Sequence, residues 1–161
     1  MKVGNKNHIS FELIGDNLPQ QQLNLNFYLG NKMISNESVY VPTYILSLQN
    51  LIDDIKYERF TNIKFEGTSV EEDFKILLKE RDLDETQFFK HLFLLDETID
   101  QYTIFVFQIN ELIRFVWTCN DEHNCNYDHE LNKIYSVQFL AKELISTVNG
   151  LINRLNIEVN N

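Results

Sequence analysis

From Leu23 to Tyr28 the chain alternates, with Leu23, Leu25 and Phe27 on one side and Asn24, Asn26 and Tyr28 on the other. That period of two predicts a strand with one buried face. Gly30-Asn31 follows, a pair that tolerates positive φ and suits a two-residue hairpin turn. His8 to Ile14 predicts a preceding strand, joined to it by a loop that Pro19 marks. The chain therefore opens as an antiparallel meander.

After Pro42 the period changes. Ile45, Leu48, Ile52 and Ile55 recur at helical spacing, which predicts a one-faced helix over roughly residues 43 to 57 with Asp53 and Asp54 on its wet side. Residues 62–66 are a short strand candidate, ended by Gly67. Ser69 and Glu72 match a capping box and open a helix through Phe74, Leu77 and Leu78. Residues 82–95 carry two competing signals. Asp84 with Gln87 suits a helix cap, whereas Phe89, His91 and Phe93 alternate, and the reading adopted is a strand from about 88 to 95.

YTIFVFQIN and LIRFVWT are rich in β-branched and aromatic residues, with a polar turn near Asn110 and Glu111. They predict the centre of a second antiparallel meander, covered on at least one face. Lys133 to Phe139 returns as a further strand. Leu140, Leu144, Val148, Leu151 and Leu155 then line a terminal helix, with Lys142 and Glu143 outward. Gly150 inside that helix suggests close packing on a sheet, and the closing IEVNN is expected to fray. The fold class is α+β: a mostly antiparallel sheet built from two meanders, with about three helices packed on one face. The 161 residues make one domain.

Composition sharpens this picture. The apolar fraction is 43% and the aromatic fraction 12%, which is globular and large enough in total to fold without a metal or disulfide. The N-terminus MKVGNKNHISFELIGD has no apolar run of signal-peptide length, and no stretch approaches the roughly 18–20 apolar residues that cross a bilayer. A cytoplasmic protein with reduced thiols is expected. A bond between Cys119 and Cys125 is geometrically open if their loop folds back, but a reducing compartment disfavours it.

The net charge of −10 is uneven: residues 80–130 hold twelve acids against three bases, whereas residues 1–79 are only two charges negative. Nucleic acid and anionic membrane surfaces are disfavoured as partners, because both are recognised through Lys and Arg. A cationic protein partner is favoured and would be steered to this region. The residues expected to meet it are Asp96, Glu97 and Asp100 before the YTIFVFQ strand, and Asp121, Glu122, Asp128 and Glu130 further on, with Tyr127 as an aromatic anchor.

The stretch TCNDEHNCNYDHE poses the sharpest chemical question. Cys119, His123, Cys125 and His129 are the right donor types for zinc, yet all fall within eleven residues, unlike the paired spacing of structural zinc sites. A small metal-binding enzyme or sensor built on these four is the alternative function, and an acidic surface loop is the preferred reading. No cofactor is expected. His91, among phenylalanines, reads as a packed histidine, His8 as solvated and Trp117 as a core anchor. The pairs Asp53-Asp54 and Glu71-Glu72 read as solvated carboxylates. No G-x-S-x-G turn or glycine-rich phosphate loop occurs, so no catalytic residue is assigned.

The LNLNFYLGNKMIS hairpin followed by VYVPTYILSLQNLI, the IRFVWT strand and the closing VQFLAKELISTVNGLINRL helix resemble, in layout, the immunity proteins of bacterial polymorphic toxin and contact-dependent growth inhibition systems. The resemblance implies a non-enzyme that binds a toxin domain, such as a basic nuclease, and blocks its active site. A scaffold role with homodimerisation through a sheet edge is a third reading.

Overall fold

The computed structural model describes residues 1–14, 21–61, 69–81, 85–121, 125 and 128–159. The first meander is strands β1 (Lys2–Gly4), β2 (Ile9–Ile14), β3 (Gln22–Leu29) and β4 (Lys32–Tyr40), paired antiparallel in chain order. Helix α1 (Val41–Lys56) follows directly, with Pro42 in its first turn, where a missing N–H costs nothing. Helices α2 (Val70–Glu80) and α3 (Glu85–His91) lead to a short 3-10 turn, Glu97–Ile99. The second meander is β5 (Tyr102–Ile109), β6 (Leu112–Cys119) and β7 (Tyr135–Leu140), and α4 (Ala141–Val159) closes the chain. The α+β class stands, with the two meanders as separate sheets.

Both sheets turn an apolar face to one core. Phe11, Phe27, Leu29 and Ile34 come from the first sheet, Ile104, Val106, Phe115 and Trp117 from the second, and α1 and α4 add Leu48, Ile52, Leu144 and Leu151. Alternation along β5 and β6 therefore leaves Phe105, Phe107 and Val116 on the opposite face. There Phe74 and Leu77 of α2 and Phe88 of α3 cover them in a second, smaller core. Helices thus pack on both faces of the second sheet, not on one.

The Gly30-Asn31 turn is as expected, with φ of 51° and 68°. It also joins the sheets: a Cβ on Gly30 would stand 3.2 Å from Val137 Cβ and 3.5 Å from the Trp117 ring. Gly150 differs. A Cβ there would meet Val3 at 3.4 Å, an ordinary contact, so close packing does not require the glycine.

The expected strand at 88–95 is corrected. Residues up to His91 are helical, because Phe88 and His91, three apart, share a helical face toward β5. His91 is fully buried, its Nδ1 2.8 Å from the Val106 carbonyl; past it Leu92 makes an isolated antiparallel bridge with Phe105, and Phe93 N–H donates to Ile104 O. The capping box holds, since Ser69 Oγ accepts from Glu72 N–H at 3.2 Å. The expected fray is corrected too: Ile157 to Val159 continue α4. The strand expected at 62–66 lies outside the described residues.

One acid is buried where no local signal pointed to it. Asp73, on the inner face of α2, is 2% exposed, with Arg114 Nη1 3.9 Å from its carboxylate. Burial raises its pKa to about 6; Arg114 pulls it down and Glu72 pushes it up. Between about pH 4 and pH 6 the folded carboxyl keeps a proton that the unfolded one has lost, so stability falls as pH rises through that window. In urea titrations across it, Asp73→Asn should remove a decline on the order of 2–3 kcal/mol relative to the native chain. Parallel curves for the two proteins would contradict this origin.

Candidate functional site

The Cys/His stretch is built as a tether. Cys125 N–H donates to Asp121 O, which folds the loop back until the Cα atoms of Cys119 and Cys125 are 5.9 Å apart and their sulfurs are bonded. The expectation of reduced thiols is thereby corrected. His129 is buried and accepts from Trp117 Nε1–H at its Nε2, 3.1 Å away. Its Nδ1 must then carry the proton, and it lies 2.9 Å from Asp128 Oδ1 and 3.4 Å from the Tyr102 hydroxyl. Burial lowers the His129 pKa and outweighs the pull of Asp128, so the ring is neutral at neutral pH. Asp128 in turn accepts from Met33 N–H at 3.3 Å and, through its carbonyl, from Lys32 Nζ. The stretch thus clamps the second sheet to the β3–β4 hairpin.

Three of the four zinc-type donors are therefore committed to other bonds, and His123 lies outside the described residues. Among the described residues, no group of three or more His, Cys, Asp or Glu side chains is placed to hold a metal. The disulfide closes a short loop, six residues apart in sequence. Loop-closure entropy gives it about 2 kcal/mol. Cys125→Ser should be less stable than the native chain by that amount in non-reducing buffer and equal to it in reductant; a native chain equally stable in both buffers would refute the bond.

The acids expected to meet a partner divide. Asp100 and Asp121 come together with Gln101, Asn120 and Glu37 around a recess of about 460 Å³. Asn120 N–H donates to Gln101 O, and Asn120 Nδ2 donates to Thr103 Oγ1, which ties β6's exit to β5's entry. Glu97 is exposed in the 3-10 turn beside Asp100. Asp96 instead caps that turn, accepting from Thr98 N–H at 3.1 Å and from Thr98 Oγ1 at 2.6 Å. Partial burial raises its pKa, against the Thr98 bonds. Asp128 is spent on the clamp, and Glu130 pairs with Lys133. Glu122 and Tyr127 lie outside the described residues.

Glu37 was not expected. It reaches the recess because β4 lies against the 3-10 turn. Nothing in its polar neighbourhood, Asn36-Glu37-Ser38, distinguishes it from any wet strand position. Two other expectations change. His8 is half-buried, stacked on Phe139 and 3.4 Å from Glu143, and Asp54 is partly buried beside Arg59, burial raising its pKa. Trp117, 1% exposed, is the core anchor it was expected to be.

Two antiparallel meanders with α4 across one core, and an anionic recess where they meet, can be compared with known proteins. The chain folds like CdiI from Burkholderia dolosa AUO158. The TM-score is 0.69 at 16% identity, over 96% of this chain and 99% of that one. The likeness to CdiI is one of fold, and it takes in both sheets. No protein-family model matches the sequence, and no curated protein matches it. No helix among the described residues is long and apolar enough to cross a membrane.

Proposed function

We propose that this chain is an immunity protein, which binds a cognate bacterial toxin domain and neutralises it by occlusion. The observation that carries the reading is the end-to-end fold likeness to CdiI, a contact-dependent inhibition immunity protein. The charge distribution supports it: nine of the ten excess negative charges lie in residues 80–130, and Glu37, Asp100 and Asp121 converge on one recess. Such a surface attracts a cationic partner, a basic nuclease among them, and repels nucleic acid. The protein acts as an inhibitor, with no reaction of its own. Co-expression with the C-terminal domain of a toxin encoded beside its gene tests this. Restored growth and a co-purifying complex are expected; continued killing, with no complex, would refute it.

A further inference from the structure

Beside the acidic recess lies a groove of about 240 Å³ with a different character. Its walls include Phe88, Phe89, Leu92, Leu94 and Tyr102, and Asp100 belongs to both groove and recess. Phe89 is 57% exposed and Leu94 65% exposed. One large apolar side chain in water is ordinary. Two over a single groove, floored by the buried Phe88, Ile99 and Tyr102, mark a surface that gains by being covered. The Phe89 ring stands edge-on to Phe88, 5.3 Å between centroids, so the rim and floor of the groove are both aromatic.

Resting on the toxin-binding reading above, we infer that this groove and the recess form one docking surface, which takes an apolar side chain of the toxin beside a lysine or arginine. The apolar side chain fills the groove against Phe89 and Leu94. The cation sits over Asp100, Asp121 and Glu37. Charge sets the direction, because Arg81 stands over the Phe88 ring at 5.7 Å and discourages a second cation on that side. The same charges disfavour a second copy of this chain as occupant, since it brings a net −10 of its own. Central apolar anchors ringed by polar contacts are where interface energy concentrates, and their loss shows mainly in dissociation.

The test is surface-plasmon kinetics with the toxin domain encoded beside the gene, comparing the native chain with Phe89→Ala plus Leu94→Ala. Dissociation should quicken by about tenfold or more, with association altered by less than about threefold. Tyr57→Ala removes a still more exposed ring, 74% exposed, that lines neither cavity, and should leave both rates unchanged. Phe89→Leu, which keeps apolar bulk, should recover part of the loss and guards against misfolding as the explanation. Native binding with an unaltered Phe89→Ala, Leu94→Ala variant overturns this surface alone. No binding by the native chain overturns the toxin-neutralising reading, and this one with it.

Discussion

Truncating Trp117 to alanine should lower unfolding stability by about 3–5 kcal/mol, as for other large buried aromatic side chains. Three connections meet in its ring. It is 1% exposed in the main core, stacks on Tyr135 at 5.8 Å, and lies 3.5 Å from where a Cβ of Gly30 would be. It therefore holds the first sheet's hairpin against the second sheet. Its indole N–H also satisfies buried His129. Trp117→Phe should cost less, though more than packing loss alone, because an unpaired buried ring nitrogen costs about 1–3 kcal/mol. Domains of this size have about 5–15 kcal/mol to lose, so the alanine variant should give up a large fraction of the whole. Urea titration followed by far-UV circular dichroism measures both. A loss below about 1.5 kcal/mol for Trp117→Ala would show that the sheets hold together without it.

Reversing the recess charges, Glu37→Lys with Asp100→Lys and Asp121→Lys, should slow association with the cognate toxin domain by about 10- to 100-fold at low ionic strength. The difference should shrink as salt shortens the range of the field to about 3 Å at 1 M. All three side chains line the recess, and Glu37 and Asp100 are exposed, so the fold should tolerate the changes. Asp96→Ala makes the contrast. Asp96 accepts two bonds from Thr98, so this variant, which loses the acceptor, should lose stability and leave the association rate alone. Unchanged association after triple reversal would remove electrostatic steering from the account. A slowed rate in Asp96→Ala would give Asp96 a part in binding.

Much of the fold was legible in the chain itself. The Leu23-Leu25-Phe27 alternation, the Gly30-Asn31 turn, the Ser69/Glu72 cap and the stripe through Leu144, Val148 and Leu151 are all local signals, and each element formed close to where it was expected. The failures have a shared cause. Residues 88–91 alternate like a strand, yet they are helical, because the outer edge and face of β5 reward a helical Phe88/His91 face that no local window contains. Asp73 reads as one more acid in a wet first turn until β6 is placed beside it with Arg114.

The candidate site shows the same division. A sequence states its charges, and the excess in residues 80–130 was plain from it, as were the two hairpins and the terminal helix, since periodicity and turn chemistry act over a few neighbouring residues. Which of those acids are bonded within the fold was decided by packing. Asp96 and Asp128 went into a cap and a clamp, Cys119 and Cys125 into a bond, and Glu37 arrived from a strand more than sixty residues away to face Asp100. Carboxylates are interchangeable as charges in a chain; each acquires its role from the donors that the fold brings within about 3 Å of it.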